Sequence, residues 1–418
     1  MTPVETPVPA AQPDAAAQPL SFSEQVIARE KQYVLQNYGR YPLVLARGRG
    51  AWVYDPDGNR YLDLLSGIGV NALGHAHPRL LRVLREQAGL MIHISNLYYH
   101  EYQGRLAERL ARVSGLQRSF FCNSGTEAME AAIKMARAHG QAVHPDKYEL
   151  VALENSFHGR SIGALSVTGQ PKYQKPFGPL LPGVRFVPMH DVAALEAAVN
   201  ERTAGILMEP VQGEGGVYPV PPAMVRKARE LADRHDALLI FDEIQCGVGR
   251  LGTWFAFQGI DPVVMPDVLA SAKPVGCGIP IGFVLCNERA ARTIPAGMHG
   301  TTFGGGPLAT RVALEFMDVL EELLPQVRAR GDYFRHKLET LKSRYSFIRD
   351  VRVHGLMIGV ELDRPGKDLV AGCMKEGLLI NCTHDVVLRL LPPYIISESE
   401  IDKAARILNR VFKRWGTA

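Results

Sequence analysis

A lysine that closes an apolar run is the residue in this sequence whose position most favours covalent chemistry. Lys273 follows the run 268–272 and enters a turn that contains Gly276 and Gly278. Loss of hydration at such a position lowers the pKa of a lysine amine, so that the neutral amine can act as a Schiff-base nucleophile. An ordinary lysine at the edge of a strand is the alternative interpretation of this segment.

An acidic residue occupies a comparable position at another predicted strand end. Asp242 directly follows the apolar run 237–241. In parallel sheets, ligands bind beyond the carboxyl ends of the strands, so an acid at this point is a candidate site residue. A structural aspartate that caps the following loop explains the same pattern.

A turn rich in hydroxyl groups is the third candidate. Ser124, Gly125 and Thr126 lie between a predicted strand and a helix, and Ser124 with Glu127 has the spacing of a capping box. The free N–H groups of a helix start, its dipole and two hydroxyls suit a phosphate. A plain capped helix is the alternative.

The three features together fit one cofactor, pyridoxal phosphate. A lysine would hold it as an imine, and an aspartate would keep its pyridine nitrogen protonated, so that the ring accepts the electrons of a carbanion. The turn would bind its phosphate. This combination favours the chemical interpretation of each feature over the structural one.

Strands and helices alternate in the part of the chain that must position these residues. Apolar runs at 150–153, 204–208 and 237–241 predict buried strands, and the segments 192–199 and 221–235 between them have helical periodicity. This alternation predicts an α/β fold with a mostly parallel sheet covered by helices on both faces.

The C-terminal part has a different pattern. A long helix is predicted from about 320 to 345, followed by short strands at 351–353 and 357–362 and a final helix at 398–415. We therefore predict a smaller α+β domain. The predicted organisation is a disordered tail (1–22), an N-terminal segment joining the small domain (23–75), a large cofactor domain (76–318) and a small domain (319–418).

Composition narrows the class of protein. Of 418 residues, 46% are hydrophobic and 22% charged, and 47 basic against 43 acidic residues give a net charge of +4. This near balance implies no nucleic-acid surface, and the sequence shows neither a signal peptide nor an apolar stretch that could cross a membrane. None of the six cysteines has a C-x-x-C spacing, which predicts reduced thiols in the cytoplasm. The H-x-H pair at 75–77 has no further ligand residues around it, so we predict no metal site.

Five ordered motifs resemble those of the class III aminotransferases, which are pyridoxal-phosphate enzymes of fold type I. The resemblance runs from about residue 25 to the end of the chain. The motifs are NSGTEA (123–128), SFHGR (156–160), EPVQGEGG (209–216), FDEIQ with a following GxGR (241–250) and HGTTFGG (299–305).

The resemblance implies roles toward the cofactor. Lys273 would be the Schiff-base lysine and the base of the 1,3-proton transfer, and Asp242 would pair with the pyridine nitrogen. Gln245 would contact the ring hydroxyl and Phe157 would stack on the ring. The remaining cofactor residues would bind phosphate: Gly125 and Thr126 from the same chain, and Thr302 from the neighbouring subunit of a homodimer with shared sites.

The resemblance also implies roles toward the substrates. Arg160 would hold a substrate carboxylate, and Arg389 would take the α-carboxylate of 2-oxoglutarate and glutamate. Glu214 would neutralise Arg389 while the ω-amino substrate is bound, and Thr301 would contact the donor from the partner subunit.

Within the family, three segments resemble the acetylornithine subgroup: SGIGVNALGHAHP (66–78), SNLYY (95–99) and LLINCT (378–383). Ile68 stands where ornithine aminotransferases tend to have tyrosine, which leaves an apolar wall suited to an acyl group. The expected reaction moves the ω-amino group of N-acetylornithine to 2-oxoglutarate, giving N-acetylglutamate 5-semialdehyde and glutamate, in arginine biosynthesis.

Other activities remain open at this point. An aminotransferase for ornithine, 4-aminobutyrate or an acylated lysine-pathway intermediate shares the motifs. A glutamate-1-semialdehyde aminomutase shares the fold and the lysine, although Arg389 with Glu214 argues against it. A binding protein that has lost catalysis is a further class, which the intact Lys273, Asp242 and Phe157 disfavour.

The sequence departs from the family pattern beside these motifs. Pro274 follows the lysine, Cys277 interrupts a run of glycines, Gly306 replaces an asparagine and Met129 replaces another. None of them removes a catalytic group. They bear on the geometry around the lysine and on substrate choice, because proline fixes φ and deletes an N–H group.

Overall fold

The computed structural model of the chain describes residues 20–416. Its β-strands are, in chain order, β1 (Arg47–Arg49), β2 (Trp52–Tyr54), β3 (Arg60–Asp63), β4 (Arg118–Cys122), β5 (Glu149–Leu153), β6 (Val184–Val187), β7 (Thr203–Met208), β8 (Val211–Gln212), β9 (Tyr218–Pro219), β10 (Leu238–Asp242), β11 (Val268–Ser271), β12 (Gly282–Cys286), β13 (Ile348–His354), β14 (Met357–Leu362), β15 (Leu378–Leu379), β16 (Asn381–Thr383) and β17 (Val387–Leu390).

The α-helices of the same residues are α1 (Phe22–Tyr33), α2 (Ser66–Gly69), α3 (Pro78–Ala88), α4 (Glu101–Ser114), α5 (Gly125–Val143), α6 (Ile162–Ser166), α7 (Pro171–Gln174), α8 (Val192–Ala198), α9 (Pro222–Arg234), α10 (Phe257–Ile260), α11 (Glu288–Ala291), α12 (Pro307–Lys342), α13 (Lys367–Lys375) and α14 (Glu398–Trp415). No helix within residues 20–416 is both long and apolar enough to span a membrane.

Residues 20–47 and 54–60 form a small compact unit. Its helix α1 begins with a capping box in which Ser21 and Glu24 satisfy each other's backbone N–H groups. The Asp55 carboxylate accepts hydrogen bonds from the backbone and side-chain nitrogens of Asn59, at 2.8 Å each, and so closes the turn between β2 and β3. The predicted tail, 1–22, lies almost wholly outside the described residues, and Ser21 and Phe22 already belong to the start of α1.

The second unit comprises residues 48–53 and 61–416, and its centre is a seven-stranded sheet. The strand order is β4-β12-β11-β10-β7-β5-β6. All neighbours are parallel except β12, which runs antiparallel to β11 and β4. Strands β5, β7, β10 and β11 are buried along their whole length, as expected for a sheet covered on both faces. The predicted α/β fold is therefore confirmed.

The carboxyl ends of these parallel strands carry the segments identified from the sequence. Strand β5 leads to the SFHGR segment, β7 to Glu209, β10 ends at Asp242, and β11 is followed by Ala272 and Lys273. Because β5, β7, β10 and β11 are consecutive neighbours in the sheet, their ends meet at one edge. The topology thus brings together residues more than a hundred positions apart.

A four-stranded antiparallel sheet forms the C-terminal part, in the order β13-β14-β17-β16. Arg389 on β17 lies between Gly359 of β14 and Asn381 of β16. Helix α14 packs against α12 and α13, and its Phe412 forms an edge-on aromatic pair with Phe347, which precedes β13. The smaller sheet covered by helices agrees with the predicted α+β character of this region.

Helix α12 differs from the sequence expectation, because it begins at Pro307 and not near residue 320. Proline is favoured in the first helical turn, where its missing N–H has no helical partner. Most residues from 312 to 320 are buried, so the segment lacks the polar face that reveals an amphipathic helix. The proposed domain boundary at 318–319 falls inside this helix and stays a prediction.

Candidate active site

Lys273 lies where β11 gives way to a short 3₁₀ turn, with a left-handed φ of +39°. Such a φ is uncommon for a residue other than glycine. Burial lowers the pKa of the Lys273 amine to about 8, and the positive charge of Arg389 adds to this effect against the opposing acids Glu214, Asp242 and Glu209. The side chain remains partly accessible, as expected of a group that faces a cleft. A substantial fraction of the amine is therefore neutral near pH 8.

Asp242 ends β10 and is only 3% exposed. Its Oδ1 accepts a hydrogen bond from the Ile244 N–H at 3.0 Å, and its Oδ2 lies 2.7 Å from His158 Nδ1. Burial lowers the pKa of His158, but the hydrogen bond and charge of Asp242, with the charge of Glu209, outweigh it and raise the pKa above its usual value. The imidazole thus orients the carboxylate. Sequence reasoning missed this role, although His158 stands inside a recognised motif.

A second buried acid joins two of the loops. Glu209 is 4% exposed and accepts hydrogen bonds from the N–H groups of Phe157, at 2.9 Å, and Gly213, at 3.0 Å. Burial raises the pKa of Glu209 to about 7, against the opposing charge of His158. Sequence reasoning assigned no role to this residue. Its signal was an acid directly after the buried strand β7, the same signal that identified Asp242.

The predicted phosphate turn forms the start of α5. Ser124 Oγ accepts a hydrogen bond from the Glu127 N–H at 3.4 Å, so the predicted cap is present, while the Glu127 side chain returns to the N–H of Asn123. Thr126 Oγ1 lies 2.7 Å from Ser161 Oγ. Among the described residues, no acceptor is bound by the N–H groups of Gly125 and Thr126.

The packing around this turn leaves no room for additional side-chain atoms. A Cβ on Gly125 would lie 2.8 Å from the Ile244 side chain, and a Cβ on Gly159 would lie 2.4 Å from Thr126 Oγ1. The φ of Gly159 is +133°, which other residues rarely adopt. The two glycines therefore allow the turn to pack closely against Ile244 and let the 156–160 segment pack against Thr126.

Arg389 projects from β17 and is 1% exposed. Its Nη1 lies 2.5 Å from Glu214 Oε1 and 3.1 Å from Gln245 Oε1, and its Nε donates to Asn381 Oδ1 at 3.3 Å. Burial acts to raise the pKa of Glu214, but Arg389 and Lys273 outweigh it and hold the pKa below its ordinary value. Arg389 and Glu214 therefore form an ion pair in which the arginine is buried and the acid is partly exposed.

Arg160 and Phe157 lie at the entrance to the same region. The Arg160 side chain is exposed, and its guanidinium carbon lies 5.6 Å from the centres of the Phe157 and Tyr173 rings. The Phe157 ring is partly accessible and meets Tyr173 edge-on. An arginine held against aromatic rings keeps its fork of donors free for a carboxylate.

Thr301 and Thr302 lie apart from these contacts. Thr301 Oγ1 accepts a hydrogen bond from Asn123 Nδ2 at 3.0 Å, and Thr302 is exposed. Within residues 20–416, neither threonine hydrogen-bonds to Lys273, Asp242 or Arg389. Their expected contribution to a neighbouring subunit's site stays a prediction.

The residues present fit pyridoxal phosphate. The partly neutral lysine amine suits the aldehyde of the cofactor, and the buried carboxylate suits its pyridine nitrogen. The accessible aromatic ring suits the ring face, and the two available N–H groups at the start of α5 suit the phosphate. The Arg389–Glu214 pair lies next to them and can receive a substrate carboxylate.

Comparison with known proteins agrees with this chemistry. The family model for class-III aminotransferases matches residues 33–412. Acetylornithine aminotransferase of Methanocaldococcus jannaschii is 48% identical over 93% of this chain and 98% of its own length.

Two solved structures show the same fold. Ornithine aminotransferase of Toxoplasma gondii, with partial occupancy of pyridoxal phosphate, superposes with a TM-score of 0.89 at 34% identity, covering 94% of each chain. N-acetylornithine aminotransferase of Stenotrophomonas maltophilia gives a TM-score of 0.80 at 34% identity, covering 93% of this chain and 99% of its own. The chain belongs to the class III aminotransferases and is a pyridoxal-phosphate-dependent transaminase.

Proposed function

We propose that this transaminase moves the ω-amino group of N-acetylornithine to 2-oxoglutarate, giving N-acetylglutamate 5-semialdehyde and glutamate in arginine biosynthesis. The observation that carries the proposal is the Arg389–Glu214 pair, whose nitrogen and oxygen are 2.5 Å apart in the cleft of Lys273. An arginine that an internal acid can neutralise accommodates both an ω-amino donor and a dicarboxylate acceptor. The 48% identity to an acetylornithine aminotransferase supports the choice of donor.

Each residue of the cleft has a part in this reaction. When bound, pyridoxal phosphate supplies an electrophilic carbon and an electron sink. Lys273 would provide the nucleophilic amine and would act as the base that moves the proton. Asp242, oriented by His158, would stabilise a proton on the pyridine nitrogen, and Phe157 would lie against the ring.

The remaining cofactor and substrate residues position their ligands. The start of α5 at Gly125 and Thr126 would hold the phosphate, and Gln245, which accepts a hydrogen bond from Arg389, would contact the ring hydroxyl. Arg160 holds the α-carboxylate of the donor, while Arg389 receives that of 2-oxoglutarate after Glu214 withdraws.

The acyl group of the donor is accommodated near Ile68. This residue is 38% exposed and has a φ of +61°, which is unusual for a β-branched side chain. Its side chain offers an apolar surface without a polar partner for a free α-amine. Ornithine is the second candidate donor, because an ornithine aminotransferase superposes with a TM-score of 0.89.

We further propose a homodimer with shared sites, located in the cytoplasm. Leu97, Tyr99 and Phe303 are 85%, 104% and 66% exposed, a combination that supports burial against a second copy. Thr301 and Thr302 precede Phe303 and would enter the partner's site. All six cysteines are unpaired thiols, as expected in a reducing compartment.

A comparison of donors tests the proposed function. With 2-oxoglutarate as acceptor, we expect kcat/KM for N-acetylornithine to exceed those for ornithine, 4-aminobutyrate and an N-succinylated diaminopimelate by about tenfold or more. Glutamate formation measures each rate. Glutamate 1-semialdehyde without an oxo acid is the control for aminomutase activity. A higher kcat/KM for ornithine, or turnover of the semialdehyde alone, would reject the proposal.

The lysine pKa predicts how the apoenzyme takes up its cofactor. Only the neutral amine is a nucleophile, so the rate of loading with pyridoxal phosphate should rise about fivefold from pH 7 to pH 8 and level off above about pH 9. The change in absorbance on mixing between pH 7 and 9.5 measures the rate. A rate that keeps rising toward the ordinary lysine pKa, as with a free lysine derivative, would contradict the lowered value.

A further inference from the structure

We propose that Thr383 is a positioning residue that holds the Glu214 side chain closed over Arg389, and thereby sets how readily the dicarboxylate acceptor gains access to that arginine. We call the Glu214 side chain the gate. The inference rests on the function proposed above, and no role for Thr383 follows from the sequence motifs.

The backbone on both sides of the gate is held by buried side chains. The N–H of Gly213 donates to Glu209 Oε2 at 3.0 Å. The carbonyl oxygen of Gly216 accepts hydrogen bonds from Arg352 Nη2 at 2.9 Å and from Nε at 3.2 Å. Both Glu209 and Arg352 are at least nine-tenths buried. Opening of the gate is therefore a rotation of the Glu214 side chain and not a movement of its loop.

Thr383 contacts the gate itself. It ends β16, is 6% exposed, and its hydroxyl lies 2.7 Å from the Glu214 carbonyl oxygen and 3.3 Å from Glu214 Oε2. Arg389 Nη1 holds the other carboxylate oxygen, Oε1. The single hydroxyl proton of Thr383 is shared between the carbonyl oxygen and Oε2, with the shorter contact to the carbonyl, so the threonine holds both the carboxylate and the backbone from which the gate rotates.

These contacts define the free-energy difference between the closed and the open gate. To bind Arg389, the carboxylate of 2-oxoglutarate must displace the Glu214 carboxylate, which then loses its bond to Arg389 and the longer contact of its Oε2 with the Thr383 hydroxyl. The incoming carboxylate replaces the first bond but not the second. Because a ligand shifts a conformational equilibrium only by its differential affinity, the Thr383 bond weakens acceptor binding. Removal of the hydroxyl should favour the open gate.

A binding experiment on the holoenzyme separates this role from a general structural one. Glutarate is a dicarboxylate of the same chain length as 2-oxoglutarate without its reactive carbonyl, and its Kd is measured by calorimetry. We expect Thr383→Val to bind glutarate about threefold more tightly than the wild type, because only the longer arm of one shared hydrogen bond is lost on opening. Thr383→Ser, which keeps the hydroxyl, should retain the wild-type Kd.

Thr340→Val is the matched control, because the Thr340 hydroxyl bonds only to a carbonyl of its own helix, at 2.9 Å. It should leave the glutarate Kd unchanged. A Thr383→Val enzyme with unchanged or weaker glutarate binding, or a Thr383→Ser enzyme that behaves like the valine variant, would overturn the role of Thr383. If the wild type binds no glutarate, or does not transaminate N-acetylornithine with 2-oxoglutarate, the proposed function fails instead.

Discussion

Replacement of Lys273 by alanine should reduce kcat by about 10⁴-fold or more, because one side chain supplies both the covalent link and the proton transfer. We expect no other lysine to replace it. Of the lysines whose pKa is shifted, only Lys273 lies in the cleft, where burial and Arg389 lower its pKa to about 8. The measurement is glutamate formation from N-acetylornithine under saturating pyridoxal phosphate.

The variant should also lose covalent attachment of the cofactor. After borohydride reduction, the intact mass of the wild type should increase by one cofactor, and that of Lys273→Ala should not. Lys375→Ala, at an exposed position on α13, is the control and should behave as the wild type in both measurements. A residual kcat above a hundredth of the wild-type value, or attachment at another lysine, would show that the assignment of Lys273 is wrong.

Replacement of Asp242 by asparagine should have the second largest effect, a fall in kcat/KM of roughly 10³-fold. The change keeps the shape of the side chain but removes its negative charge. Asp242 is only 3% exposed, and its Oδ2 lies 2.7 Å from His158 Nδ1. Without that charge, a proton on the pyridine nitrogen is no longer stabilised, and the ring withdraws electrons less strongly. The pKa of His158 should fall as well, since Asp242 is the main group that raises it.

Two measurements distinguish loss of the charge from loss of the fold. Thermal unfolding of the Asp242→Asn apoenzyme should show a folded protein, and the half-reaction with N-acetylornithine alone should already be slow. Asp233→Asn, an exposed acid on α9, serves as the matched control. If Asp242→Asn retained kcat/KM within threefold of the wild type, the proposed role of Asp242 at the pyridine nitrogen would have to be abandoned.

Local features of the sequence were sufficient to identify the candidate site residues that follow a strand or start a helix. Asp242 and Lys273 both come directly after apolar runs, and the predicted strand 237–241 agrees with β10 to within one residue. The Ser124 turn and the capping boxes depend on residues three positions apart. Such signals are visible without a fold, because burial and capping act within a few residues.

Other elements could not be delimited in this way. The first part of α12 is buried on most of its surface, so its helical period is hidden and its start was expected more than ten residues too late. The antiparallel position of β12 between β4 and β11 is likewise set by sheet order and not by composition. Hydrophobic patterns show that a segment is buried, but not which neighbour buries it.

The sequence by itself determined the class of chemistry, since a phosphate turn, an aspartate and a lysine in this order suit one cofactor. The partners of those residues were decided only by the tertiary structure. His158 reaches Asp242 across 84 positions, and Thr383 reaches Glu214 across 169. These contacts exist because the ends of neighbouring parallel strands, and a strand of the smaller sheet, converge at one edge. That convergence is a property of the strand order, which no local pattern of residues contains.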